Sequence, residues 1–341
     1  YTPLYGTGNK PVTSLLKLIG IKNLCVVESQ RMPNGNFPGL KAPNPEERDV
    51  YEEAIKLAEK VGANMIIATD PDCDRMGLCV KNNDGEFVTL TGNQIGSLLM
   101  DYVLSQRQSG FTGDEFVCKS IVSTELADAI AKNYGVEMRH VLTGFKFIAE
   151  QIKMADKCAR GRFMFGFEES YGYLAGTFVR DKDAAMSAML IAECACYYAQ
   201  KGMTIYEALM SLYKKYGYYV EKVVSLTLKG IEGIAKIKGA VKKIREEYPA
   251  AVQDFKVLAV TDLMTGNKHD MVSLEDSPVN FPSADVLIFE LDGGKMILRP
   301  SGTEPKLKAY CFTKGTNENE AKEKLNRLVN ATDAHMRELT K

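Results

Sequence analysis

The chain has 341 residues, room for two or three domains of ordinary size. Hydrophobic residues make up 45% and charged residues 26%, as in a soluble globular protein, and the net charge of -1 argues against a nucleic-acid surface or a polybasic membrane anchor. No apolar run approaches the ~20 residues of a membrane span, and no signal peptide is visible.

The opening at Tyr1 without methionine is expected of a trimmed product. "LCVVES" predicts a strand, followed by the turn-rich "RMPNGNFPGLKAPNPEE". In "ERDVYEEAIKLAEKVG", Val50, Ile55, Leu57 and Ala58 recur at helical spacing and Gly62 closes the run. "ANMIIATD" then reads as a strand of a parallel sheet covered on both faces, with an acidic loop at its carboxyl end, where open α/β sheets place ligands.

The pattern repeats: "TGNQIGSLLMDYVLSQ" helix, "EFVCKSIVS" strand, "TELADAIAKNYG" helix, "VEMRHVLTG" strand, "KFIAEQIKMADK" helix, "RFMFGFEES" strand and "DKDAAMSAMLIAECACYYAQKG" helix. From about Gly217 the alternation stops. A strand "YYVEKVVSLTLKG", an exposed basic helix "GIAKIKGAVKKIREEYP", a hairpin "ADVLIFELDGGKMILRPSG", a strand "KLKAYCFTK" and an amphipathic tail helix follow. The expected fold is therefore α/β, with two consecutive mixed-sheet domains at 1–91 and 92–215 and a smaller α+β domain at 216–341.

Eight scattered cysteines include no C-x-x-C pair, which points to reduced thiols in a cytoplasmic protein. Three separated histidines do not suggest a histidine metal site.

Five stretches carry chemistry. In "TDPDCDR", Asp70, Asp72 and Asp74 crowd three carboxylates that would repel one another unless a cation lies between them. Such hard oxygen ligands suit magnesium, which often completes its shell with phosphate oxygen. An EF-hand reading fails, because its sixth and twelfth positions are Arg75 and Lys81 instead of glycine and glutamate. In "RPSGTEPKLK", Ser301, Gly302 and Thr303 can offer hydroxyls and amides to one anion, with Arg299 as a forked donor and Lys306 adding charge. In "FGFEESYGY", Glu168 and Ser170 alternate at a strand end as acceptor and donor for vicinal sugar hydroxyls. "RDKDA" places Arg180 and Lys182 ahead of a helix N-terminus, and "LTGFKFIAE" places Lys146 after a glycine turn. Together they imply a phosphorylated sugar handled with magnesium.

These residues resemble the α-D-phosphohexomutase superfamily, most closely its phosphoglucomutase/phosphomannomutase members. "TDPDCDR" is similar to the family's metal loop, "GFEESYGY" to its sugar-binding loop, "RDKDA" to the basic segment after it and "RPSGTEPK" to its phosphate-binding loop. "TPLYGTGNKPV" also resembles a family stretch, with Tyr5 where many members have histidine. The order of motifs matches across nearly the whole chain, so 1–91, 92–215 and 216–341 correspond to the family's second, third and fourth domains.

The resemblance implies that Asp70, Asp72 and Asp74 bind Mg2+ and that Arg75 lies beside the transferring phosphoryl group. It implies that Glu168 and Ser170 hold the sugar hydroxyls in both orientations. Arg180, Arg299, Ser301, Gly302, Thr303 and Lys306 would bind the substrate, Arg299 and the 301–303 loop gripping the phosphate that is not transferred. Lys146 and Lys182 would contact the substrate and assist proton transfer. The implied reaction interconverts hexose 1-phosphate and hexose 6-phosphate, glucose preferred, through a phosphoserine and glucose 1,6-bisphosphate.

The family's phosphoserine stretch, Thr-Ala-Ser-His-Asn-Pro or a close variant, is absent from the 341 residues. The sequence thus reads as lacking the N-terminal phosphoserine domain and the opening strand of the second, and as inactive alone. Alternatives are a non-catalytic sugar-phosphate binding protein or, in a complete enzyme, a phosphopentomutase or a glucose 1,6-bisphosphate synthase.

Overall fold

A computed structural model describes residues 1–107, 110–228, 230–301 and 305–340. The chain forms two compact units, Tyr1–Tyr216 and Gly217–Lys341. No helix among the described residues is long and apolar enough to cross a membrane.

The first unit opens with helix α1 (Asn9–Leu18) and α2 (Glu52–Val61). α2 buries Ala54 and Ala58 and stops at Gly62, whose φ of 72° is left-handed and lets the Ala63 N–H reach back to the Ala58 carbonyl. Strands β1 (Met65–Thr69), β2 (Met76–Lys81) and β3 (Phe87–Leu90) form an antiparallel sheet in that order, with Thr69 opposite Met76.

This corrects the parallel setting expected for β1. Only residues 70–75 join it to β2, far too few for a parallel crossover. The parallel element is an isolated bridge between Thr2 and Ala68. The strand expected in "LCVVES" forms no ladder among the described residues. Its hydrogen bonds go to Tyr1, whose ammonium donates to Cys25 O (2.8 Å) and whose carbonyl accepts from the Val27 N–H (3.0 Å), before a short 3-10 turn at Glu28–Gln30. Among residues 24–27, Val27 is the one that reaches the core.

The second sheet supplies a cleaner α/β pattern. Helix α3 (Gly92–Ser105) starts on a reciprocal capping box between Thr91 and Gln94. Then come β4 (Glu115–Ser120), α4 (Leu126–Tyr134), β5 (Glu137–Val141), α5 (Phe145–Cys158), β6 (Arg162–Phe167), β7 (Tyr173–Ala175), α6 (Ala184–Gln200) and α7 (Ile205–Tyr216).

The strand order is β5-β4-β6-β7, parallel among the first three and antiparallel at β6–β7, hence mixed as expected. All six residues of β4 are buried, as for a central parallel strand covered on both faces. Phe116, Cys118, Ile148, Ile152, Phe163 and Leu174 make the core under α5. The carboxyl ends of β4, β5 and β6 lead into loops 121–125, 142–144 and 168–172, where ligands gather in such sheets.

The second unit is β-rich. It contains β8 (Tyr218–Thr227), α8 (Gly230–Glu246), β9 (Ala251–Val252), β10 (Phe255–Asp262), β11 (Asn267–Asp270), β12 (Asp276–Pro278), β13 (Leu287–Leu291), β14 (Gly294–Pro300), β15 (Lys306–Gly315) and α9 (Glu318–Leu339). The order β12-β11-β10-β13-β14-β15-β8 is antiparallel throughout, with β9 on β10. β10 to β12 were not legible as strands in the sequence. The helix expected to be an exposed basic one is amphipathic: Ile237, Val241 and Ile244 join a core with Phe289, Leu298, Leu307, Leu328 and Met336.

Candidate functional site

The three carboxylates sit on the hairpin loop between β1 and β2. Asp70 is buried at 1% exposure, and its side chain organises the loop. Oδ1 accepts the backbone N–H groups of Asp74 (3.1 Å) and Arg75 (2.9 Å), and Oδ2 accepts Arg75 Nε at 2.7 Å. Burial pushes the Asp70 carboxyl up to about 6, although the Arg75 hydrogen bonds pull it down.

Cys73 takes a left-handed φ of 61°, which turns the chain so that one oxygen from each of Asp70, Asp72 and Asp74 lies within 4.8 Å of the others. That spacing and all-carboxylate chemistry fit a hard divalent cation such as magnesium.

The opening stretch of the chain braces this loop. The Thr7 N–H and hydroxyl both donate to the Pro71 carbonyl (2.8 and 3.0 Å), and a Cβ on Gly6 would fall 2.3 Å from Pro71 Cα. Tyr5 sends its hydroxyl to the Pro38 carbonyl at 2.9 Å. The Gly-Thr-Gly at 6–8 was the available signal for this close approach.

A second hairpin loop, residues 168–172 between β6 and β7, carries Glu168 and Ser170. The Glu168 N–H closes it on the Gly172 carbonyl at 2.9 Å. The Glu168 side chain is 5% exposed, and its Oε1 accepts the Gly144 N–H at 2.6 Å. Burial, with Glu169 nearby, pushes its carboxyl up to about 7, against the pull of the Gly144 hydrogen bond and Lys182.

The two loops are stitched together through their backbones. Arg75 and Gly172 form an antiparallel bridge, and the Met76 N–H donates to the Tyr171 carbonyl at 3.1 Å. The Tyr171 hydroxyl donates to Leu90 O at 3.0 Å. The carboxylate cluster and Glu168 therefore share one edge, almost one hundred residues apart in sequence.

Lys182 joins them: its Nζ lies 2.5 Å from Asp74 Oδ2. Asp183 caps α6 by accepting the Met186 N–H at 3.0 Å, and the Ala184 N–H donates to Cys73 O at 3.3 Å, so the helix start is anchored on the acidic loop.

Lys146 and Arg180 meet elsewhere. With Phe147, Ala149, Glu150 and Lys153 they line a cavity of about 470 Å³. Arg180 also pairs with Asp156 and donates to Thr177 O at 2.7 Å.

In the second unit Arg299 is half-buried on β14 opposite Lys308, and the Ser301 N–H donates to the Lys306 carbonyl at 2.8 Å. Gly302 and Thr303 lie outside the described residues. Sequence reasoning also missed Glu46, 3.8 Å from Arg75, and the Ser120 hydroxyl that donates to Glu169.

An antiparallel sheet and a mixed α/β sheet thus set a carboxylate hairpin beside the Glu168 hairpin, an arrangement of the α/β enzyme class. Comparison with known proteins narrows that class. Residues 1–85 match the family model for phosphoglucomutase/phosphomannomutase alpha/beta/alpha domain II, and residues 91–216 match that for domain III. Over 329 residues, 96% of this chain, it is 37% identical to the phosphoglucomutase of Staphylococcus aureus strain bovine RF122 / ET3-1 and 36% identical to that of strain USA300.

The chain spans 59% of the length of each. In fold it is similar to pp63/parafusin, a phosphoglucomutase from Paramecium, in its open form (TM-score 0.68, 17% identity, 99% of this chain and 57% of that one). It is also similar to a phosphoglucomutase/phosphomannomutase family protein from Burkholderia thailandensis (TM-score 0.61, 17% identity, 98% and 59%). The chain belongs to the phosphoglucomutase/phosphomannomutase family of the α-D-phosphohexomutase superfamily.

Proposed function

We propose that this chain forms the metal- and sugar-binding part of a magnesium-dependent phosphoglucomutase/phosphomannomutase that interconverts hexose 1-phosphate and hexose 6-phosphate, with glucose preferred. The observation that carries the reading is the backbone stitching of the acidic hairpin to the Glu168 hairpin. Asp70, Asp72 and Asp74 would hold Mg2+, which supplies charge neutralisation on the transferring phosphoryl group.

The chain's own residues do the positioning. Arg75, held by Asp70 through Nε, presents the rest of its guanidinium beside the carboxylates, a fork matched to phosphate oxygens. Glu168 offers its second carboxylate oxygen to sugar hydroxyls, whose donated hydrogen bonds favour its ionised form. Ser170 adds a donor and acceptor on the same loop. Lys182 supplies a cation between metal loop and sugar loop, and Lys146 and Arg180 add positive charge on the neighbouring cleft.

On the sequence stretch "RPSGTEPK" alone, Arg299, Ser301, Gly302, Thr303 and Lys306 are assigned the phosphate that is not transferred. The 341 residues hold no Thr-Ala-Ser-His-Asn-Pro stretch, so the phosphoryl group is proposed to come from a serine outside them, with glucose 1,6-bisphosphate as the exchanged intermediate. Transfer then depends on positioning and electrostatics, the terms that dominate such reactions.

Calorimetric titration tests the reading. Magnesium followed by glucose 1,6-bisphosphate is expected to give saturable, metal-dependent binding, weakened at least about tenfold in the Asp72→Asn/Asp74→Asn variant, as befits lost charge-assisted contacts. Binding that ignores magnesium, or none at all, would overturn it.

A further inference from the structure

Behind the sugar loop lies a buried polar cluster to which the proposed function assigns no role. Glu169 accepts the Ser120 hydroxyl at Oε2, 2.9 Å away, with Ser123 Oγ at 3.5 Å from the same oxygen. Ser120 and Ser123 are fully buried and 2.8 Å apart.

The turn that carries them is itself clamped. Lys119, only 1% exposed, donates to the Ser123 and Thr124 carbonyls at 3.1 and 3.0 Å and pairs with Asp128 at 2.7 Å. The Thr124 N–H donates to Asn93 Oδ1 at 3.0 Å. On its other side the Glu169 backbone is wedged against α3, where a Cβ on Gly92 would lie 2.1 Å from the Glu169 carbonyl oxygen.

A lysine taken out of water so completely is costly unless its donors are satisfied. Here the Ser123 and Thr124 carbonyls, in the turn at the carboxyl end of β4, and Asp128 on α4 satisfy it, so Lys119 ties the turn to the strand and helix on either side. Through Ser120 that rigid turn holds Glu169, the residue between Glu168 and Ser170.

We infer that Glu169 is a positioning residue for sugar recognition: its hydrogen bond to Ser120 sets the orientation in which Glu168 and Ser170 meet the hexose. This inference rests on the proposed sugar-phosphate site. Glu169 and Ser170 sit in the turn that the Glu168 N–H closes on the Gly172 carbonyl, so holding the Glu169 side chain fixes the turn that carries Glu168 and Ser170. A carboxylate held by two hydroxyls is a stiffer anchor than one facing solvent. Glu169 makes no claim on the substrate itself.

The test uses the chain with magnesium and glucose 1,6-bisphosphate as the probe, read by calorimetry, with thermal melting and magnesium affinity recorded for every variant. Glu169→Gln and Ser120→Ala are each expected to raise the bisphosphate dissociation constant about tenfold. Together they should do no worse than either alone, and Ser120→Thr should restore binding. On a Glu168→Gln background, Glu169→Gln should add less than about twofold, because the residue acts through Glu168. Magnesium affinity should stay at the wild-type value.

Wild-type bisphosphate affinity in Glu169→Gln, or a full additional loss on top of Glu168→Gln, would overturn the positioning role. A fall in magnesium affinity matching the fall in sugar affinity would mark general loosening of the fold and overturn it too. If Glu168→Gln binds the bisphosphate as wild type does, the sugar-site reading itself fails and takes the inference with it. That result is distinct from a failure confined to Glu169.

Discussion

Lys182 Nζ stands 2.5 Å from Asp74 Oδ2, so the chain's own ammonium partly neutralises the carboxylate cluster that would hold the metal. A divalent cation must compete with it. Both partners are partly exposed, at 23% and 28%, which keeps the pair near the weak end of such interactions, about 1 kcal/mol. Lys182→Ala is therefore expected to tighten magnesium binding by roughly fivefold while weakening hexose bisphosphate binding. Titration of each ligand separately checks this, and unchanged or weaker magnesium affinity would count against the competition.

Two glycines, Gly92 packed against the Glu168 loop and Gly172 at its end, should respond differently to alanine. At Gly92 the new Cβ meets backbone, 2.1 Å from Glu169 O, and neither α3 nor the loop can retreat cheaply. The expected loss is about 3 kcal/mol of unfolding free energy. At Gly172 the nearest atom is Lys182 Cδ at 2.8 Å, the middle of a flexible side chain. There a cost of about 1 kcal/mol or less is expected, with Lys182 displaced from Asp74. Urea denaturation of the two variants side by side decides it; equal losses would mean that the packing around Gly92 is softer than its contacts indicate.

Glu168 makes stability fall with pH. Burial raises its folded carboxyl from 4.5 to about 7, so between those values the folded chain holds a proton that the unfolded chain has released. The penalty is absent below about pH 4.5, grows as pH rises and is complete above about 7; at 1.36 kcal/mol per unit it is about 3 kcal/mol at most. Glu168→Gln should thus melt higher than wild type at pH 8 and show no such gain at pH 4.5. Parallel melting curves across that range would refute the assignment.

In the second unit, helix and sheet are pinned by charge. Arg245 on α8 reaches the fully buried Asp262 of β10 (Nε to Oδ2, 3.1 Å) and the half-exposed Asp285 (2.6 Å). Removing one partner of a buried pair leaves the other carboxylate desolvated and alone. Arg245→Ala is expected to cost about 3 kcal/mol, and Arg245→Lys to recover only part, since an ammonium cannot fork between two carboxylates. Hydrogen exchange should show the loss in 217–341 and leave 1–216 protected; a loss spread evenly through the chain would argue against this local account.

The sequence by itself determined most of the element pattern and the types of chemistry. Carboxylates at every second position, Asp70 to Asp74, are close in any conformation of so short a stretch, so the crowding of charge was legible in the sequence. Helical spacing in 52–61 and 145–158 is likewise a local property, and both helices formed.

What the sequence could not carry was partner choice. The apolar run of β1 suits a parallel neighbour or an antiparallel one equally well, and the short return through 70–75 decided for the second. "LCVVES" has the composition of a strand but, among the described residues, is tied by backbone to Tyr1 and joins no sheet. Glu169 and Ser120 are ordinary polar residues in the chain and become an anchor only where β6 is laid beside β4. The union of the acidic loop with the Glu168 loop is also a tertiary decision. Local propensity acts over a few residues, whereas the Arg75–Gly172 bridge joins segments that meet only when two sheets and the helices between them have packed.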